Sequence, residues 1–282
     1  MKPSLFFILG NPRSGTSLLR LMLNSHPGIL APPECGFLLW LTDSYINNTV
    51  YSEESLLRFS KDVFNCRKFE TWGVSERDIL SQLLITRPCS YLELATSVYL
   101  AYAKKQKRSP SMIGDKNNHY IKEIEKINKF HPHAKKIFII RDGRDVALSY
   151  LKISQSDLES KYRPQLPNAI EEIATEWNST SLIIHEHEHD RNSCIVTYES
   201  LIQFPEKTLK KICRHLNISY SKKMLDFYTK NDEPTDFLQW KEKTKLPLDS
   251  SNLYKYEKEM TTKDIQHFEK RAVKYLKLFN YL

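Results

Sequence analysis

Two stretches carry residues whose types and spacing suit them to grip phosphate. In Gly10-Asn-Pro-Arg-Ser-Gly-Thr-Ser17 a polar loop bounded by glycines follows the apolar run Leu5 to Leu9 and leads into an apolar segment, Thr16 to Leu23. A buried strand, a short glycine-bounded loop and a helix turn successive backbone N–H groups and the positive end of the helix towards one anion. The spacing Gly10-x4-Gly15 is that of a Walker A loop, but Thr16-Ser17 stand where a lysine is needed to reach the outer phosphates of a triphosphate. Arg13 supplies a cation from inside the loop, so the loop suits a 5′-phosphate and lacks the usual group for a triphosphate. The second stretch is Arg141-Asp-Gly-Arg-Asp-Val-Ala-Leu-Ser149, which leaves the apolar run Lys136 to Ile140. An arginine ending a strand and a serine in the next helix can hold one phosphate by a charged fork and a hydroxyl. Asp142, Arg144 and Asp145 read instead as a salt-linked loop and helix start. Lys116 closes a third apolar-to-polar stretch, Ser111 to Lys116.

These groups need elements to bring them together. Leu5 to Leu9 and Lys136 to Ile140 have the unbroken apolar character of strands buried on both faces, as in a parallel sheet. Gly28 to Ala31, Ser111 to Lys116 and Cys194 to Tyr198 read as further strands. Helices are expected at 16–23, 37–41, 121–130, 169–185 and 205–216, the last with Pro205 in its first turn. A final helix opens at Thr261-x-x-Asp264. Residues 51–107 read as a helical insertion, with capping-box patterns at Ser75-x-x-Asp78 and Ser90-x-x-Glu93. Residues 152–168 read as a mobile loop and 229–260 as an irregular, lysine-rich segment. Strands alternating with helices imply an α/β fold with a central parallel sheet flanked by helices. Ligands then sit at the carboxyl ends of the strands, where Arg13, Lys116 and Arg141 can converge.

Composition narrows the function classes. The chain has 282 residues, a formal net charge of +8 and a pI near 9.0, with 40% hydrophobic and 27% charged residues. That suits an ordinary α/β domain with a lysine-rich surface, or one that attracts an anion. The lysines are dispersed and no helix-turn-helix, finger or aromatic-basic platform is present, so nucleic acid is not the expected partner. Cys35, Cys66, Cys89, Cys194 and Cys213 are odd in number and never paired as Cys-x-x-Cys. This argues against a zinc site and a complete disulfide framework and favours a reducing, cytoplasmic setting. In that setting Asn47-Asn48-Thr49, Asn178-Ser179-Thr180 and Asn217-Ile218-Ser219 are chance matches to the glycosylation pattern. No run approaches the ~20 apolar residues of a membrane span. His185-Glu-His-Glu-His-Asp190 alternates by two, which scatters its ligands around a helix; no metal is expected and the tract reads as a solvated helix end.

At Pro12-Arg13-Ser14-Gly15-Thr16-Ser17-Leu18-Leu19-Arg20 the sequence resembles the PAPS-dependent sulfotransferases, Golgi and tyrosylprotein branches, as a soluble bacterial-type member. His26-Pro27 and Arg141-Asp-x-Arg-Asp-x-x-x-Ser149 match the same families. The resemblance implies a P-loop NTPase-like three-layer fold, a single sulfotransferase domain over 1–282 and an enzyme that moves a sulfuryl group from PAPS to an acceptor hydroxyl. The acceptor is a carbohydrate, protein or small molecule, adenosine 3′,5′-bisphosphate is the product, and no metal takes part. Arg13, Ser14, Gly15, Thr16 and Ser17 would hold the 5′ end of the nucleotide, and Arg141 and Ser149 its 3′-phosphate. Glu34, 21 residues after Arg13, matches the catalytic base of the tyrosylprotein enzymes, with a helix-start carboxylate as its bland alternative and His119 as rival base. Lys116, in Gly-Asp-Lys, would neutralise charge on the sulfuryl group together with Arg13, although Asn117-Asn118 replaces the usual Thr-Pro. Tyr198, in Tyr-Glu-x-Leu, would help hold the nucleotide, with Glu199 a partner of nearby basic residues. Ser251 and Lys255 match a late Ser-x-x-x-Lys element that closes over PAPS, while the lysines of 241–245 read equally as solvated. A membrane anchor ahead of the first strand, present in Golgi members, is not expected, and a homodimer is compatible with the resemblance. Two other classes stay open: a P-loop nucleotide or small-molecule kinase, and a basic binding protein without catalysis.

Overall fold

The structure is a computed structural model that describes residues 2–48, 50–157 and 159–282. Thr49 of the first glycosylation triplet and Leu158 of the 152–168 segment lie outside them. Five strands form one parallel sheet in the order β2-β3-β1-β4-β5: β1 (Ser4–Leu9), β2 (Ile29–Leu30), β3 (Met112–Lys116), β4 (Lys135–Ile140) and β5 (Ser193–Thr197). The apolar runs of β1 and β4 are unbroken because each strand feeds two cores. Phe6, Ile8, Ile137 and Ile139 face one hydrophobic cluster, and Phe7, Leu9, Phe138 and Ile140 the other. β1 lies at the centre. The chain runs from it to β2 and β3 on one side and then crosses to β4 and β5 on the other. The order therefore reverses beside β1, the place where open parallel sheets bind ligands.

Helices cover both faces. α1 (Thr16–Asn24) packs on the face of Phe6 and Ile8. α2 (Phe37–Trp40) and α3 (Thr42–Tyr45) follow β2, and α4 (Glu53–Phe64), α5 (Glu76–Thr86) and α6 (Tyr91–Lys105) make up the helical insertion on the opposite face. Their starts were written in the sequence. Ser75 and Asp78 form a full capping box. At Ser90 only half of the expected box forms: its hydroxyl accepts from Glu93 N, but the Glu93 carboxylate takes Cys89 N instead. After β3 the chain makes a 3₁₀ segment (Asn118–Glu123) and α7 (Ile124–Phe130), so the helix expected from 121 starts tighter and later. α8 (Gly143–Ser154) is capped by Asp142 and runs into the segment expected as loop, and α9 (Ile170–Glu186) buries Trp177. α10 (Tyr198–Gln203), α11 (Pro205–Leu216) and a 3₁₀ segment (Lys222–Lys230) follow β5. The lysine-rich stretch holds only short turns, among them α12 (Thr235–Leu238) and α13 (Tyr256–Glu259), before α14 (Thr262–Leu278) packs on α8 and α9. Among the described residues no helix is long and apolar enough to cross a membrane.

Candidate active site

The loop after β1 takes its shape from two left-handed residues, Arg13 (φ 69°) and Gly15 (φ 93°). Glycine is required at 15 for a second reason: a Cβ there would lie 2.4 Å from Cδ2 of Tyr198. Asn11 anchors the loop to the core. Its Nδ2 donates to Tyr150 Oη (2.9 Å), and its Oδ1 accepts from Thr180 Oγ1 (3.0 Å). Thr16 Oγ1 donates to Asn118 Oδ1 at 2.9 Å, and Ser17 is half-buried in the first turn of α1. Ser14 is fully buried, yet its hydroxyl has no partner. A buried hydroxyl left unpaired costs about 1–3 kcal/mol, so its presence at an anion loop marks a group that a ligand completes.

The two phosphate motifs meet. Arg13 Nε donates to Ser149 Oγ at 2.9 Å, and Arg141 Nη1 donates to the carbonyl of Arg13 at 3.3 Å. The Arg141 guanidinium stacks over the Tyr198 ring, 4.5 Å from its centroid, and is steadied by Asp145 at 3.1 Å. Its Nε is buried without a partner. Burial, and then the neighbouring Arg141, push the Arg13 guanidinium down to about 10. Two arginines side by side, with an unpaired buried donor on each motif, suit an anionic ligand.

Glu34 stands at the mouth of β2, on a segment held by Arg20 Nη1, which donates to Ala31 O (2.8 Å). Its two carboxylate oxygens are ion-paired to Lys116, at the end of β3, and to Lys68, from the helical insertion. Burial alone would raise the Glu34 carboxyl; the two ammonium groups overcome this and hold it well below the usual carboxylate range. α2 begins three residues after Glu34, at Phe37, and the carboxylate is engaged by the two lysines. Lys241 enters from the lysine-rich stretch. Far from solvated, its side chain is 11% exposed, paired with Glu233 and pushed down by burial to about 8. Glu233 in turn accepts from Arg20 Nη2 at 2.6 Å, and Arg20 Nη1 also reaches Asp232 at 2.9 Å. A chain of buried charge thus runs from α1 through 232–241 to the edge of Glu34.

That stretch, here called the strap, covers the site. Arg13 Nη2 donates to Trp240 O (2.9 Å) and Arg141 Nη2 to Asn252 O (2.8 Å). Open clefts of about 770 and 510 Å³ lie elsewhere, one beside Lys2 and Arg108 at the amino ends of β1 and β3, the other beside Lys122 and Arg271. Ser251 is on the strap, but its hydroxyl turns to Asp249, and Lys255 lies 4.0 Å from Glu259. His119 is exposed and faces Glu123 at 3.5 Å. Glu199, expected beside basic residues, accepts instead from Asp142 N (3.0 Å) and Tyr281 Oη (2.9 Å), and burial pushes its carboxyl up. The histidine tract is not simply solvated either: Asp190 pairs with buried Lys136 at 2.9 Å. Among the described residues no group of His, Cys, Asp and Glu is arranged to hold a metal. Sequence reasoning missed Lys68, Trp240, Lys241 and Asn252. Lys68 carries no motif, and two of the others act through backbone carbonyls, which side-chain identity does not reveal.

A family model described as "Sulfotransferase family" matches residues 3–222. The protein-tyrosine sulfotransferase of Drosophila melanogaster is 27% identical over 230 residues, covering 78% of this chain and 39% of that protein. The chain spans about half the length of further curated protein-tyrosine sulfotransferases that it matches. Among solved structures, the sulfotransferase domain of the Synechococcus PCC 7002 olefin synthase superposes with a TM-score of 0.60 at 21% identity, over 96% of this chain and 95% of that one. Mouse sulfotransferase SULT7A1, complexed with PAP, superposes with a TM-score of 0.53 at 16% identity, over 97% and 84%.

Proposed function

The chain belongs to the sulfotransferase family, and from that premise we propose that it moves a sulfuryl group from PAPS to an acceptor hydroxyl on a carbohydrate, protein or small molecule. The observation that carries the reading is the meeting of the two phosphate motifs, Arg13 against Ser149 and Arg141 against the Arg13 carbonyl, with unpaired buried donors on Ser14 and Arg141. PAP, bound in the mouse protein of the same fold, is the bisphosphate that remains when PAPS has given up its sulfuryl group. The loop residues Arg13 to Ser17 hold the 5′ end, and Arg141 and Ser149 hold the 3′-phosphate, with Tyr198 packed between the motifs. The whole chain acts as one domain, because the strap beyond residue 229 supplies contacts to both arginines.

Glu34 receives the acceptor proton. A carboxylate with two ammonium partners is fully ionised but weakly basic. It takes the proton late, once the forming O–S bond has made the hydroxyl acidic and the bridging O–S bond has opened. Lys116 and Arg13 neutralise the charge that gathers on the sulfuryl and leaving oxygens, a role worth several kcal/mol in a water-poor site. Positioning supplies most of the rest, as in phosphoryl transfer. The free thiols suit a reducing, cytoplasmic setting.

The test is a calorimetric titration with adenosine 3′,5′-bisphosphate, AMP and ATP. The wild type should prefer the bisphosphate, and Arg141→Ala should weaken it at least tenfold. Equal or tighter binding of ATP, or no effect of Arg141→Ala, would overturn the reading in favour of a kinase.

A further inference from the structure

At the amino ends of β1 and β3, the edge of the sheet away from the phosphate motifs, lies the open cleft of about 770 Å³. Its size is that of a small-molecule site. Leu100, Ala103 and Pro110 give it an apolar floor, Lys104, Lys107 and Arg108 surround it, and no acidic residue lines it. Lys2 also reaches the cleft, but it is paired with Glu93. The backbone here is shaped around these cations. α6 ends in a Schellman motif: Lys107 N donates to Lys104 O (3.0 Å) and Arg108 N to Ala103 O (2.9 Å), with Lys107 in the left-handed region (φ 52°). Glycine is usual at that position. A lysine there keeps a strained backbone, and its side chain lines the cleft. Arg108 follows, half-buried. Its Nη1 donates to Asn24 Oδ1 (2.8 Å) and its Nη2 to the carbonyls of His26 (2.9 Å) and Ile29. These neutral acceptors fix the guanidinium and leave its charge uncompensated. Asp232, which Asn24 Nδ2 also reaches at 2.9 Å, is taken by Arg20 Nη1 at 2.9 Å. Burial pushes the Arg108 guanidinium down, with Asp232 opposing. Among the described residues no carboxylate lies within 4.0 Å of Lys104, Lys107 or Arg108. The negative end of α6 accounts for Lys104 and Lys105 in its last turn. It does not account for a lysine at the left-handed position or for a half-buried arginine without an anion.

We propose that this cleft is a second ligand site, for a small organic anion that carries a phosphate or sulfate head on an apolar ring. Lys104, Lys107 and Arg108 hold the head, and Leu100, Ala103 and Pro110 pack on the ring. Arg108 is fixed in advance by its three acceptors, so it gives up little freedom on binding. The two lysines are flexible point charges that close on the head. The apolar floor distinguishes such a ligand from a bare inorganic ion, and the cations distinguish it from a neutral ring. The site lies at the opposite ends of the strands from Arg13 and Arg141, so it is independent of the sulfuryl-transfer reading.

The experiment is a calorimetric titration with naphthyl phosphate, naphthyl sulfate, naphthol and inorganic phosphate, with adenosine 3′,5′-bisphosphate present to fill the donor pocket. The proteins are wild type, Lys104→Met/Lys107→Met, and Lys263→Met/Lys270→Met as a control that removes two exposed lysines from α14. Arg108 is left in place because it holds the 24–29 turn. Wild type should bind both esters about tenfold more tightly than naphthol or inorganic phosphate, with the dianionic phosphate ester ahead of the sulfate. Lys104→Met/Lys107→Met should weaken both esters about fivefold or more, as the loss of two cation contacts to one anion, and leave naphthol within about twofold. The α14 control should change neither. Naphthyl phosphate should also slow hydrogen exchange in residues 103–112 of the wild type. No binding of the esters, equal binding of naphthol, or an equal loss in the two double variants would overturn the inference. Each of those results leaves the donor reading in place, since that reading is tested by the affinity for the bisphosphate itself.

Discussion

Glu34 carries the sharpest expectation at the scale of single residues. With a hydroxyl acceptor and labelled PAPS, Glu34→Gln should lower kcat by about a hundredfold or more, within the usual range for a lost general base. Its bisphosphate affinity should stay within about twofold of wild type, since Glu34 touches neither phosphate motif. A variant that kept its kcat would return the role of base to another group. That Arg13, Arg141 and Ser149 come together was legible from residue type and spacing, because polar clusters that each follow a buried strand converge at one edge of a parallel sheet. Lys68 was not, because a lone lysine in a helical insertion has no local signature. Its meaning comes only from the fold, which lays the insertion against the β2 end of the sheet and leaves Lys68 on the carboxylate.

At the scale of elements, α1 and the strap form one unit. Arg20 is 1% exposed and holds both Asp232 and Glu233. Removing one partner of a buried ion pair strands the other charge, so Arg20→Met should cost about 3–5 kcal/mol, measured as a fall in the denaturant midpoint. Hydrogen exchange in 232–252 should quicken at the same time. Protection unchanged there would mean that the strap is held by its other contacts. The strands and most long helices could be read from apolar periodicity and caps. The strap could not, since it has no periodicity and follows Arg20, Arg13 and Arg141 instead of its own propensities.

For the whole molecule, two buried groups set opposite dependences on pH. Burial pushes His131, packed on Phe7 with no partner for either ring nitrogen, down to about 4. Between pH 6.5 and 4 the unfolded chain therefore binds a proton that the folded chain refuses. The stability contributed by the neutral ring is complete above 6.5 and is lost as pH falls. Burial pushes Asp115 the other way, up to about 7, against the hydrogen bonds from Tyr99 (2.7 Å) and Tyr120 (3.2 Å). The folded chain holds that proton more tightly, so stability declines as pH rises from about 4 to 7. The shifts are similar in size and oppose one another, which flattens the wild-type profile. Thermal melts from pH 4 to 8 should show His131→Leu gaining on the acid side and Asp115→Asn on the alkaline side. Parallel profiles for all three proteins would show that neither group governs the pH response.

The sheet order has a further consequence, for synthesis. β1 is made before the other four strands, yet Phe6 must wait for Gly114, and Leu9 for Phe138, before the strand has neighbours on either side. At ~5–20 residues per second that delay is on the order of ten seconds. Throughout it an apolar strand, Leu5 to Leu9, lacks at least one of its two neighbours. The strand that carries the phosphate loop is therefore also the one that waits longest for its neighbours.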